Sequence, residues 1–364
     1  MIVTRPEGAF TTDRISLTLR ELATAYEYVL VQVPASWSVD LGEGEAVSLA
    51  GFHVPALDQE DLDVLRDGLL PLRSEVGREF GRLARTVAGL RVGVALGAGS
   101  LRGYAHIGAL RGLAELGVPI DFIAGASVGA VVAGLHANGA DYDRIAEVLD
   151  ELGKRMFRPT ISRRSLLSTR AMRRFIRQRL GDAQIEELPI PLGVVTADAL
   201  TGEEVVLRQG SLALALLAST SVPGIFPALS VGGHTLVDGG VVDPVPVGVT
   251  ARMGAGVAVG VRLITGTTSV RMDSVSRQTS SPLPSSVGAI LRSLELMQGR
   301  LGVEVNGMEM NEVATVLVTP DFEELPGAKM RSFRSGRRFL DSGHAAVDQA
   351  RPTLAAALPW LRDV

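Results

Sequence analysis

Cysteine is absent from the 364-residue chain. That excludes disulfides, thiolate metal sites and a cysteine nucleophile. Lysine is nearly absent: Lys154 and Lys329 are the only two, so almost all positive charge is arginine. Aromatic residues make up 4%, and Ala, Val, Leu and Gly must therefore fill the interior. No run reaches the ~18 apolar residues that span a bilayer. The opening "MIVTRPEGAF" has no basic stretch ahead of an apolar one, so no secretory signal is read there. The five histidines, His53, His106, His136, His234 and His344, lack ligand-like spacing, and neither a metal nor a cofactor is expected. A formal net charge of −4 argues against nucleic acid as a partner. The expected setting is cytoplasmic, with any membrane contact peripheral.

The chain is 46% hydrophobic and holds 41 glycines, enough for a large core with close backbone approaches. Residues 1–90 stand apart as an N-terminal extension without a catalytic constellation. "DRISLTLRELATAYEYVLVQVP" reads as a helix then a strand. "DQEDLDVLRDGLLPLRSEVGREFGRLARTV" reads as one or two amphipathic helices, with Asp58 as N-cap. From residue 91 strands alternate with helices. "RVGVAL" and "PIDFIAG" read as strands; "AHIGALRGLAELG" and "VGAVVAGLHANG" read as helices ending at Gly117 and Gly139. This is the pattern of a parallel sheet covered by helices. "PLGVVTADALTGEEVVL" reads as two strands about a turn at 199–202, and "SLALALLAST" as an apolar helix. "HTLVDGG" reads as a short strand and turn, and "GAGVAVGVRL" as a buried strand. Residues 265–285, rich in Ser, Thr and Pro, read as a loop. Then come an amphipathic helix in "SSVGAILRSLELMQGRL", a strand in "EVATVLVTP" and a closing helix in "GHAAVDQARPTLAAAL".

Three stretches carry chemistry. The first, "VGVALGAGSLRGYAHIGAL", ends a strand in a glycine-rich turn. A dinucleotide fingerprint needs a third glycine where Arg102 stands, and Gly103 comes one residue late. A P-loop would need Gly-Lys-Ser/Thr. The alternative is a loop of N–H groups aimed at an oxyanion, with Gly99, Ser100, Arg102 and Gly103 in it. The second is Gly125-Ala126-Ser127-Val128-Gly129, a G-x-S-x-G between strand and helix. A nucleophilic Ser127 on a sharp turn needs small neighbours two residues to either side. A tight packing turn would look the same. The third is "TLVDGGVVDPVPV", with Asp238-Gly239-Gly240. Asp-Gly is also an ordinary turn signal, and Asp243 shares that reading.

In this order, "LGAGSLRGYAHIGAL", "GASVG" and "VDGG" resemble the patatin-like phospholipases, and among them the bacterial relatives of neuropathy target esterase. The resemblance runs from about Arg91 to the C-terminus and includes "ASTSVPGIFPAL". It implies a three-layer α/β/α sandwich with a mainly parallel central sheet over residues 91–364. It also implies a dyad of nucleophile Ser127 and base Asp238, an oxyanion loop, and hydrolysis of acyl esters in phospholipids or lysophospholipids. The family's loop carries glycine where this chain has Ala98 and Ser100. If either position requires positive φ, its side chain is strained by on the order of 1 kcal/mol. Those two changes also support a different outcome, an inactive relative that binds lipid. A third reading is a hydrolase that uses His344.

Two further features have paired readings. Arg102 fixes the loop or a lipid phosphate, or makes a structural salt bridge. Residues 163–181, "RRSLLSTRAMRRFIRQRLG", hold seven arginines and no acid. Leu166, Leu167, Met172, Phe175, Ile176 and Leu180 intersperse them. This segment lies on an anionic membrane surface, or it is a solvated amphipathic helix packed on the core.

Overall fold

The computed structural model describes residues 2–3, 30–31, 75–156, 169–264, 293–301, 313–322 and 337–361. The chain divides into two compact units, Met1–Gly89 and Leu90–Val364. In the first, Ile2–Val3 (β1) pairs in parallel with Leu30–Val31 (β2), and Glu75–Val87 (α1) is helical. The helix expected upstream of β2, the Asp58 cap and the 265–285 loop lie outside the described residues.

The second unit is built on a sheet whose middle strands are apolar on both faces. They are Val92–Leu96 (β3), Phe122–Ala126 (β4) and Leu192–Asp198 (β5), and every residue in them is buried. Parallel strands carry helices on both sides and so have no polar face. The sheet continues with Glu204–Leu207 (β6), Leu229–Val231 (β7), His234–Asp238 (β8), Val257–Val261 (β9) and Ala314–Val318 (β10). Its order is β10-β9-β3-β4-β5-β8-β7, with β6 also on β5. The pairings from β10 to β5 are parallel. Those of β5 with β6, β5 with β8 and β7 with β8 are antiparallel.

Helices cover both faces. On one lie Tyr104–Glu115 (α2), Val128–Ala137 (α3), Tyr142–Met156 (α4), Leu212–Ser219 (α6) and Arg338–Ala357 (α8), which contribute to the main hydrophobic cluster with Val92, Val94 and Leu96. Thr169–Leu180 (α5) joins that layer through Ile176 and Leu180. On the other face Val247–Arg252 (α7) brings Val249 against Ala124, Ala126 and Val195. The unit is therefore a three-layer α/β/α sandwich with a mainly parallel sheet.

The expected strands and helices from 91 to 264 are present. One strand escaped the sequence: β7, which "PALSVGGHTLVDG" hides as half of a hairpin. Gly232 and Gly233 turn it with φ of 58° and 86°, the double positive-φ turn that suits a hairpin's twist. The closing helix α8 also starts earlier than its sequence suggests and continues through Pro352.

Candidate functional site

Strand register assembles the site. Ala126 pairs with Val195 and Asp238 pairs with Thr196. β4 and β8 thus end at the same level on opposite sides of β5, and the next residue after β4 is Ser127. The Ser127 hydroxyl donates to Asp238 Oδ2 at 2.6 Å. No third side chain intervenes.

Ser127 sits at φ 55°, ψ −123°. A non-glycine residue there is strained by on the order of 1–3 kcal/mol, so surrounding structure must hold it. Its N–H donates to Ser219 Oγ at 2.9 Å, and the Ser219 hydroxyl donates to the Val195 carbonyl at 2.7 Å. Two residues on, the Ser221 carbonyl accepts the Asp238 N–H at 3.0 Å. The phrase "ASTSVPG" thereby moors both Ser127 and Asp238. Nothing local in that phrase marks Ser219 for this role.

Glycines at the site are where side chains would collide. A Cβ on Gly125 would lie 2.6 Å from Ala130 Cα, and one on Gly129 would lie 2.0 Å from the Leu96 carbonyl oxygen. Gly239 crosses β5 so closely that a Cβ would reach the Val195 oxygen at 2.2 Å. Gly103 packs on Val128, whose Cγ2 a Cβ would meet at 2.3 Å.

Asp238 is 2% exposed. Burial pushes its carboxyl up to about 6, against the opposing pull of the Ser127 hydroxyl and of the Gly240 N–H, which donates to Oδ1 at 2.8 Å. Desolvation penalises the charged form, so it outweighs two hydrogen bonds that favour it.

The glycine turn follows β3. Gly97 N–H is spent on the Val261 carbonyl and Ala98 N–H on the Pro244 carbonyl. The first bond of the 3-10 turn Ser100–Gly103 is Arg102 N–H to the Gly99 carbonyl at 3.1 Å. The N–H groups of Gly99 and Ser100 precede it and stay outside the ladder. The strain expected from the two departures falls on one only. Ser100 has φ 51°, whereas Ala98 has no positive φ and is buried at 3% exposure. Beneath the turn, fully buried His106 donates from Nε2 to the Gly97 carbonyl at 2.7 Å. Burial pushes its pKa down to about 4, so the ring is neutral at pH 7. It braces the loop by a bond rather than by charge.

Arg102 makes a salt bridge, Nη2 to Glu295 Oε1 at 3.2 Å, with its guanidinium 5.9 Å from the Phe322 ring centre. The ion pair is present, and it ties the glycine turn to the helical stretch 293–301. His344 contacts Glu115 at 2.7 Å and Asp348 at 3.3 Å. Both its nitrogens are engaged away from Ser127, which leaves the third reading without geometric support. Asp243 is buried, and its Oδ1 accepts the Val245 N–H at 3.2 Å.

In α5, Ile176 and Leu180 are core residues, so they do not face outward. Arg174 is exposed, Arg177 pairs with Asp182 and Arg179 with Glu151. Residues 163–168 lie outside the described residues. No helix among the described residues is long and apolar enough to cross a membrane.

Comparison with known proteins bears on the same stretch. The patatin-like phospholipase family model matches residues 94–251. An NTE family protein of Mycobacterium tuberculosis is 40% identical over 177 residues, 48% of this chain and 49% of that one. Patatin-like phospholipase domain-containing protein 7 of Rattus norvegicus is 34% identical over 192 residues, 50% of this chain and 14% of that one. Neuropathy target esterase sws of Drosophila melanogaster is 33% identical over 186 residues, 49% and 13% of the respective chains. The match thus spans about half of the mycobacterial relative and a small part of the animal ones.

Proposed function

We propose, on the match of residues 94–251 to the patatin-like phospholipase family model, that the chain is a serine hydrolase of carboxylic esters in phospholipids, lysophospholipids or related lipids. The observation that carries this reading is the direct 2.6 Å bond from Ser127 Oγ to a buried Asp238.

In the proposed reaction Asp238 takes the Ser127 hydroxyl proton as Oγ attacks the ester carbonyl. The N–H groups of Gly99 and Ser100 hold the oxyanion that develops. When the intermediate collapses, the acyl–oxygen bond breaks and Asp238 returns the proton to the departing alcohol. Water then attacks the acyl-Ser127 ester with Asp238 again accepting a proton; the acyl–Oγ bond breaks, Asp238 returns that proton to Ser127 Oγ, and the fatty acid leaves. An ordinary aspartate, with pKa near 3.9, is a weak base at neutral pH. Burial makes Asp238 a stronger one. Arg102, tied to Glu295, acts by holding the turn.

Labelling with a fluorophosphonate probe tests the assignment directly. The expected result is one modified peptide carrying Ser127, with no labelling of Ser127→Ala. A folded wild-type chain that fails to label would instead be a lipid-binding relative without turnover.

The carboxyl pKa sets a pH dependence. Only the ionised carboxylate can accept the Ser127 proton, so activity requires pH above about 6. Below that, kcat/KM for a neutral ester should fall about tenfold per pH unit. A profile flat down to pH 4.5 in folded protein would refute Asp238 as the base.

Peripheral membrane contact is proposed through the arginine-rich 163–181 segment, on its charge alone. Arg173→Glu/Arg174→Glu should weaken binding to vesicles rich in anionic lipid, measured by sedimentation. Undiminished binding would remove this part of the proposal.

A further inference from the structure

The helical stretch 293–301 presents a polar side chain that the reaction above does not use. Glu295 and Gln298 are three residues apart and share one face. Glu295 pairs with Arg102, which moors that face on the glycine turn. Gln298 then reaches in beside Asp238. A Cβ on Gly240 would lie 2.6 Å from Gln298 Nε2, 2.7 Å from Ala98 Cβ and 3.2 Å from Asp238 Oδ1. The carboxamide therefore occupies space that Gly240 leaves open by having no side chain. Gln298 is partly buried, yet among the described residues its amide has no hydrogen-bond partner. The amide is not among the fully buried unpartnered groups, so its donors and acceptor stay open to a ligand.

The direction of proton transfer says which half of a substrate comes to that place. Asp238 returns its proton to the departing alcohol oxygen, so the alcohol half of the ester lies on the Asp238 side. The carbonyl oxygen lies at Gly99 and Ser100. A carboxamide offers two N–H donors and one acceptor, which matches a hydroxyl, since a hydroxyl both donates and accepts. A phosphate would call for a cation, and Arg102 is already engaged by Glu295.

We propose that Gln298 is a specificity-determining residue that hydrogen-bonds a free hydroxyl on the alcohol half of the ester. It favours acyl esters of a polyol, such as monoacylglycerols and lysophospholipids, over esters of simple alcohols. This rests on the hydrolase reading above.

The test compares kcat/KM for a monoacylglycerol and for the ethyl ester of the same fatty acid. Wild type, Gln298→Leu and Gln298→Met are measured, and fluorophosphonate labelling reports on the dyad separately. Losing the amide should lower the monoacylglycerol-to-ethyl ratio about tenfold in both variants. A ratio within twofold of wild type in both, with wild type labelled and active, overturns the role of Gln298 alone. A folded wild type that neither labels nor cleaves either ester overturns the hydrolase reading and this one with it.

Discussion

Asp238→Asn should lower turnover of a lipid ester by about 10³-fold or more while making the folded chain more stable at pH 7. The first effect follows from the loss of the base. An amide cannot take the Ser127 proton, and removing general-base assistance typically costs 10²–10⁴-fold. The second follows from linkage. Asp238 has a folded-state pKa of about 6, above its ordinary 3.8. The folded state therefore binds the proton more tightly than the unfolded one. Its contribution to stability is fully present below pH 3.8 and is lost as pH rises through 6. At pH 7 the buried carboxylate is destabilising, on the order of 3 kcal/mol. Asparagine removes that charge and nearly keeps the shape, and its carbonyl can still accept the Gly240 N–H. Thermal unfolding should show a gain at pH 7 that shrinks towards pH 4. A variant less stable than wild type at both pH values would mean that desolvation does not dominate Asp238. A variant turning over at near wild-type rate would mean that the dyad is wrong.

How much of this was legible in the sequence depends on distance along the chain. β3, β4 and the helices after them are short-range patterns, and apolar runs ending at glycine signal them without tertiary information. Ser127 and Asp238 were legible because each sits in a turn whose geometry demands glycines at fixed offsets. Their adjacency was not readable from spacing. It depends on β8 running antiparallel to β5, which no local pattern announces. Ser219 was missed for a similar reason: nothing marks a serine that accepts one N–H 92 residues away. The Arg102–Glu295 pair spans 193 residues, so charge counting could offer only two readings of Arg102. The Ala98 and Ser100 departures were visible as substitutions, but only backbone angles separate the strained residue from the unstrained one. Ala98 is accommodated because Gly240 opposite it is bare.

Gly129→Ala should destabilise the second unit by more than about 3 kcal/mol and abolish labelling of Ser127. Judged by helix propensity the change is favourable, since alanine exceeds glycine by about 1 kcal/mol in a helix. The obstacle is steric. The new Cβ would lie 2.0 Å from the Leu96 carbonyl oxygen and 2.6 Å from that of Gly97. Both are backbone atoms of β3 and the glycine turn, so no rotamer change relieves the contact. Either α3 lifts from the sheet or the turn shifts. The first moves Ser127 and the second moves Gly99 and Ser100, so each disturbs the arrangement of the hydroxyl and the proposed oxyanion loop. Gly134→Ala in the same helix is the control. Its Cβ would meet only Leu216 and Leu212 side-chain carbons at 3.1–3.2 Å, which can give by a few tenths of an ångström. It should keep labelling and change stability by about 1 kcal/mol or less. Thermal unfolding and probe labelling of both variants decide the matter. If Gly129→Ala melts with wild type and labels at its rate, close contact of α3 with β3 is not what positions Ser127. If the two variants fail alike, the fault lies in replacing helical glycine rather than in the approach to Leu96.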